Sequence, residues 1–300
     1  MEQKRSAVPL YVYCLNLSDP FVSTRRPVGL YCVAAQMKGG LAHTNMISMT
    51  DLSYSFGTSP ETPVFSGLSM NVRQGEFISL VGASGCGKST LFKIIAGLLQ
   101  QTGGELNVPG TISADPSSRL GRVAYMPQQD LLLPWRTVLD NCLLPWELNR
   151  TGSKTEAVRR IRNMLERFGL EGTEQRYPHE LSGGMRQRTA MLRTLAAGHK
   201  LMLLDEPFGA LDAITKRGLH RWLLELWGSL EQTVLFITHD LEEALLLSDR
   251  IYLMSGGAGG GVQEFLVDLP RPRHYRLNYD PHFVALRADL ERRLYETYIS

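Results

Sequence analysis

Between Ile47 and Val72 apolar residues alternate with polar ones, the two-residue period of strands with one buried face. Three segments carry it, Ile47–Met49, Leu52–Phe56 and Leu68–Val72, with a turn-rich loop from Gly57 to Pro63. The pattern then changes. Glu76–Val81 predicts a short buried strand, and Thr90–Leu98 carries apolar residues at helical spacing, with a glycine turn between them. Gly103-Gly104 closes that unit, and Arg122–Met126 predicts another strand, ending at Pro127-Gln128. From about Val138 to Ala197 the period is mostly helical. Val158, Ile161, Leu165 and Phe168 recur at intervals of three and four, and Ser182 before Gly183-Gly184 looks like the cap of a helix from Met185 to Ala197. Lys200–Leu204 and Thr233–Ile237 read as parallel strands buried on both faces, separated by a helix from Ala213 to Leu230. Ile251–Met254 and Val262–Val267 flank the glycine turn Ser255–Gly261 and predict a hairpin. Phe283, Leu286, Leu290, Leu294 and Tyr298 fall at helical spacing within Pro281–Ile299. Acids and bases mix on the other face of that helix, which predicts packing against the chain's own domain.

Composition narrows the choices. The chain has 300 residues, 43% hydrophobic and 21% charged, enough for a sizeable core. A formal charge of +2 gives no electrostatic case for nucleic-acid binding. No run approaches the length of apolar sequence that a membrane-spanning helix needs, so membrane work would require a partner chain. Cys14, Cys32, Cys86 and Cys142 show neither metal-ligand spacing nor a dense disulfide framework, which suits a reducing compartment. Residues 1–45 hold no sustained period. Lys4-Arg5 before Ala7–Leu17 faintly resembles a signal peptide, but Pro9 and Asn16 interrupt it. The expectation for 1–45 is a disordered extension, or upstream sequence ahead of a natural start at Met46 or Met49.

The glycine turn is where chemistry concentrates. Gly82-Ala83-Ser84-Gly85-Cys86-Gly87-Lys88-Ser89-Thr90 fits G-x-x-x-x-G-K-[ST] between a strand and a helix. Glycines let backbone N–H groups turn inward, and the helix start adds partial positive charge, so the turn cradles phosphates. Lys88 would reach the terminal phosphates and Ser89 would hold Mg²⁺. Cys86 is expected as a small residue that tolerates the turn. Hydrolysis needs carboxylates delivered beside the phosphates, and Leu201–Leu204 followed by Asp205-Glu206 supplies them at a strand end. Asp205 is placed for the Mg²⁺ shell and Glu206 to polarise the attacking water.

Leu181-Ser182-Gly183-Gly184-Met185 opens a further helix between these two motifs, and here the chain resembles the ATP-binding cassette family, whose signature is LSGGQ-like. The resemblance covers about residues 47–270. It implies an α/β fold: a P-loop NTPase core with a mostly parallel sheet, an N-terminal antiparallel β subdomain and an inserted helical subdomain at about 138–197. The expected cassette is 46–270, with a helical tail over 271–300. Gln128 resembles the Q-loop glutamine that contacts Mg²⁺ and water, with Gln129 beside it as the alternative. Phe208–Asp212 looks like the D-loop, placing Asp212 at a dimer seam. Thr238-His239-Asp240 looks like the switch histidine motif, His239 contacting the γ-phosphate. Phe56, before Gly57, is the expected adenine platform, with Tyr54 as the fallback. The family pairs two cassettes, each ATP lying between one chain's phosphate loop and Ser182, Gly183 and Gly184 of the other.

Cassettes power importers, exporters, DNA repair and ribosome factors. One cassette, no membrane span and no coiled-coil insertion resemble the separate ATPase subunit of an importer. Such a subunit would work as a homodimer beneath a transmembrane permease, on the cytoplasmic face of the membrane, with a solute-binding protein delivering cargo. A single-cassette exporter subunit and a soluble non-transport ATPase are the alternatives. Gln128–Trp135, Val138–Asn141 and Asp268–Arg273 resemble the nitrate, sulfonate and taurine importers. Tyr125-Met126-Pro127-Gln128 is similar to importers of pyrimidine thiamine precursors, which ranks that cargo first. Trp135 would lie where the family receives the permease, or else be a core aromatic after a turn.

Overall fold

The computed structural model describes residues 44–57, 63–150, 152–209, 211–227, 232–257 and 260–299. The expectation for 1–45 therefore lies, up to residue 43, outside the described residues. So does most of the loop after Gly57 and the end of the predicted helix at 228–230. In chain order the strands are β1 (Asn45–Ser55), β2 (Pro63–Arg73), β3 (Phe77–Gly82), β4 (Gly103–Asn107), β5 (Ala124–Met126), β6 (Leu201–Asp205), β7 (Thr233–Ile237), β8 (Arg250–Met254) and β9 (Val262–Leu266). The α-helices are α1 (Lys88–Ile95), α2 (Val138–Asn149), α3 (Lys154–Arg167), α4 (Gly183–Ala196), α5 (Ala213–Trp227), α6 (Leu241–Leu247) and α7 (Pro281–Ile299).

A six-stranded sheet runs β5-β6-β7-β3-β8-β9, parallel except where β9 returns antiparallel to β8. Its strands are apolar on both faces because both are covered. Ile78, Leu80, Leu201, Leu203, Leu235 and Ile237 pack toward α1 and the smaller sheet. The residues between them, Phe77, Met202, Leu204, Val234 and Phe236, pack with Leu139, Leu165 and Leu192 of α2, α3 and α4. Each fully buried side chain of this kind contributes roughly 1.5–3 kcal/mol over leaving it in water. A third cluster joins Val81, Ile251 and Leu253 to Ala244 of α6 and to Phe283 and Leu290 of α7, so the C-terminal helix packs on its own domain as expected.

The smaller sheet is antiparallel, in the order β2-β1-β4. Here the structure departs from the sequence expectation twice. The two predicted strands Ile47–Met49 and Leu52–Phe56 are one strand, β1, with a shift of register between Met49 and Leu52, where Asp51 takes φ 50° and its N–H turns to the Ser69 hydroxyl at 2.9 Å. Gly103-Gly104 does not close the preceding unit but opens β4. Gly104 has φ 76°, and a Cβ there would lie 2.3 Å from the Asp51 carbonyl oxygen. Two irregular backbones meet at that point, and glycine is what lets them.

Caps fix the helical segment. Ser153 and Glu156 form a capping box at α3, Thr137 caps α2, and the Ser182 hydroxyl accepts from Met185 N at the start of α4. Because β3, β5, β6 and β7 are parallel neighbours, their carboxyl ends open onto one edge of the sheet, where ligands of such folds bind.

Candidate active site

Four strand ends build the site. β3 ends at Gly82 and turns through Ala83–Gly87 into α1. Gly87 has φ 104°, and a Cβ there would come within 2.8 Å of both Val64 and Phe65 of β2. Only glycine lets the loop lie this close to the smaller sheet. Ala83–Thr90 line an open cleft of about 840 Å³, walled also by Phe56, Gln128, Glu206, His239 and Gly256-Gly257. Lys88 Nζ donates to the carbonyls of Gly82 at 2.8 Å and Ala83 at 2.7 Å, neutral acceptors that a phosphate can replace. Cys86 is buried in the turn, as a small residue there should be.

β6 delivers the acids. Burial pushes the Asp205 carboxyl above the usual range; the Ser89 hydroxyl bond partly opposes this, the neighbouring Glu206 charge adds to it, and Lys88 and Lys93 oppose it. Asp205 Oδ1 is buried with no hydrogen-bond partner. An orphaned carboxylate oxygen beside a serine hydroxyl is a hard-oxygen set of the kind Mg²⁺ takes. Glu206 follows at φ 50°, an unusual backbone for a non-glycine residue, held by its N–H on the Ile237 carbonyl at 3.1 Å. Its Oε2 accepts from Gln128 Nε2 at 2.9 Å, and its Oε1 pairs with His239 Nε2. Three motifs separated by long stretches of chain therefore meet on one carboxylate.

The alternatives left open by the sequence separate cleanly. Gln128, not Gln129, reaches Glu206. Phe56 is 63% exposed and lines the cleft, whereas Tyr54 is 7% exposed and packs edge-on beneath it at 5.1 Å. Trp135 is 72% exposed, which removes its reading as a core aromatic. Asp212 Oδ1 accepts from the N–H groups of Ile214 and Thr215 at 3.0 Å, capping α5. Ser182, Gly183 and Gly184 are not among the residues of the phosphate cleft; Gly183 instead lines a neighbouring hollow with Gln129 and Arg186.

Some contacts carry no motif signal. Gln187 Nε2 donates to the Glu206 carbonyl at 3.0 Å, tying the start of α4 to the acidic strand end. Arg193 donates to the carbonyls of Asp130 and Leu131, both at 2.8 Å, and Arg186 pairs with Asp130 at 3.1 Å. The segment after Gln128 is thus clasped by α4.

The family model described as "ABC transporter" matches residues 65–209. The formylaminopyrimidine import ATP-binding protein ThiZ of Halalkalibacterium halodurans is 42% identical over 244 residues, 81% of this chain and 94% of its own. The chain belongs to the ABC transporter family. The nitrate transport protein NasD of Klebsiella oxytoca is 41% identical over 84% of this cassette and 97% of its own length. Taurine import ATP-binding protein TauB of Escherichia coli K12 is 36% identical over 83% and 98%. Among solved structures, the dimeric MJ0796, a bacterial ABC transporter cassette, superposes with TM-score 0.67 at 30% identity, covering 75% of this chain and 100% of that one. The same cassette bound to ADP and Pi, in a post-hydrolysis dimer, superposes equally well at 29% identity. This cassette binds and hydrolyses ATP, and its fold is the α/β arrangement of the family. Among the described residues no helix is long and apolar enough to cross a membrane.

Proposed function

We propose that this cassette drives an importer of a formylated or amino-substituted pyrimidine, working as a homodimer bound to a transmembrane permease at the cytoplasmic face of the membrane. The observation that carries the mechanism is the meeting of Gln128, Glu206 and His239 at the rim of the phosphate loop. In the proposed reaction Lys88 and the loop N–H groups hold the ATP phosphates and Phe56 stacks on adenine. Glu206 takes up the proton of the attacking water, Gln128 orients that water, and His239 contacts the γ-phosphate. Ser89, Asp205 and Gln128 would hold Mg²⁺, which neutralises phosphate charge when bound. Ser182–Gly184 of a second copy would complete the site, and Asp212 would sit at the seam. Closure of that dimer on ATP would be the two-state motion that the permease reads.

Two observations support the pyrimidine cargo. The 42% match is to a formylaminopyrimidine import protein, and the Tyr125–Gln128 motif points the same way. Nitrate import and transport proteins match at 43% and 41% and a taurine import protein at 36%, so those cargoes are the alternatives. A solute-binding protein outside the membrane would present the cargo. The test is uptake by vesicles carrying this cassette with the permease that co-purifies with it. ATP-dependent accumulation of labelled formylaminopyrimidine, absent with Glu206→Gln, is expected. Accumulation of nitrate or taurine instead would replace the cargo, and copies that never associate with a membrane protein would sink the importer.

A further inference from the structure

A buried charged cluster adjoins the turn that carries His239, none of its residues lines the cleft, and nothing in the proposed chemistry uses it. Glu243 of α6 is 4% exposed. Its Oε2 accepts from the Thr238 hydroxyl at 2.5 Å, and the same hydroxyl accepts from Asp240 N at 3.0 Å. The Thr238 hydroxyl therefore bridges Glu243 to Asp240 across the turn that carries His239. Two nitrogens from α5 approach the other carboxylate oxygen: Lys216 Nζ at 2.5 Å and His220 Nε2 at 3.2 Å. Lys216 also reaches Asp240 Oδ2 at 3.0 Å. Burial works against the Lys216 charge, but its bonds to Glu243 and Asp240 outweigh that and raise its pKa. Asp240 in turn caps α6 through the N–H groups of Glu242 and Glu243.

The cluster joins two places that matter. α5 begins at its Asp212 cap, immediately after the Phe208–Asp212 segment, and the His220 ring stands edge-on to Phe208 at 4.7 Å. A buried carboxylate with a hydroxyl on one oxygen and the Lys216 ammonium at the other is costly to leave half-made, so its members favour one arrangement. We infer that Thr238, Glu243 and Lys216 are positioning residues: they fix the Thr238–Asp240 turn so that His239 meets Glu206, and they transmit shifts of α5 to it. None touches the cleft, so their effect runs through His239 alone. The inference rests on the catalytic reading of His239.

Thr238→Val keeps the branched shape and removes the hydroxyl, and Lys216→Met removes the charge at a part-exposed position; each leaves Glu243 with one partner fewer, so thermal melts accompany both. Both should lower kcat of the 300-residue chain about tenfold while KM for ATP stays within about twofold, because the phosphate loop is untouched. Thr238→Ser should restore most of kcat. In a His239→Ala background, Thr238→Val should cause no further loss. Normal turnover of Thr238→Val beside an impaired His239→Ala would overturn the positioning role alone. So would a loss that adds to that of His239→Ala, or one that follows a loss of folded protein in thermal melts. Normal turnover of His239→Ala would bring down the catalytic reading and the positioning role with it.

Discussion

Glu206 holds a left-handed backbone, φ 50°, directly after a buried strand and is gripped from three sides. Its N–H bonds Ile237 of β7, its carbonyl takes Gln187 of α4, and its carboxylate meets Gln128 and His239. Such a conformation costs on the order of 1 kcal/mol and persists only where surroundings enforce it, which is common at reacting centres. Removing the negative charge while keeping the shape isolates the proposed role. Glu206→Gln should bind ATP as before and turn it over at least about a hundredfold more slowly, the usual span of a general base. Equilibrium nucleotide binding and steady-state phosphate release measure the two halves separately. Wild-type turnover would leave the carboxylate without a chemical role. At this scale the sequence was informative because each motif is contiguous: Asp205-Glu206, Thr238-His239 and Gly82–Thr90 are short runs whose residue types already state their chemistry. Gln187, Lys216 and Glu243 were not legible. Each acts through partners distant in sequence, and a lone Gln, Lys or Glu in a helix looks like any solvated residue.

Among the elements, legibility followed local contrast. β6 and β7 are unbroken apolar runs, and α3 and α4 begin at side-chain caps, so strand and helix announce themselves. β4 has little such contrast. Its residues are Gly-Gly-Glu-Leu-Asn, with Leu106 alone buried, and its pairing with β1 is an agreement between two distant segments. The same pairing hides in β1, where Asp51 at φ 50° interrupts the alternation and makes one strand look like two. Gly104 is the residue on which that junction turns. Gly104→Ala would need φ 76° and would put its Cβ 2.3 Å from the Asp51 oxygen, a contact neither backbone can relieve without unzipping the edge. The expected cost is about 2–3 kcal/mol, read from urea unfolding. Turnover should change little at temperatures where the protein stays folded, because β4 contributes nothing to the cleft.

For the whole molecule the decisive fact is where Ser182 is not. The phosphate loop, Glu206 and His239 share one cleft, but the Ser182–Gly184 helix start opens beside a different hollow. α4 cannot simply swing over, because Gln187 is tied to Glu206 and Arg186 and Arg193 to Asp130 and Leu131. A helix N-terminus is nonetheless an anion site in waiting. In a two-fold dimer every interface group is supplied twice, so one copy's Ser182 can face the other copy's bound ATP. The solved cassette that this chain superposes on is itself dimeric. Two substitutions separate it from a site built within one chain. Lys88→Ala should lose nucleotide affinity in the isolated chain, and with it any ATP-driven dimer. Ser182→Arg should leave the isolated chain's affinity for ATP within about twofold, since the residue is outside the cleft, yet abolish dimerisation on ATP and turnover, as expected of a bulky charge forced into an interface. The clearest background is Glu206→Gln, where ATP should hold the dimer closed long enough for sedimentation to count it. Loss of monomer affinity in Ser182→Arg would place that serine in its own chain's site, and a persistent ATP dimer would remove it from the seam.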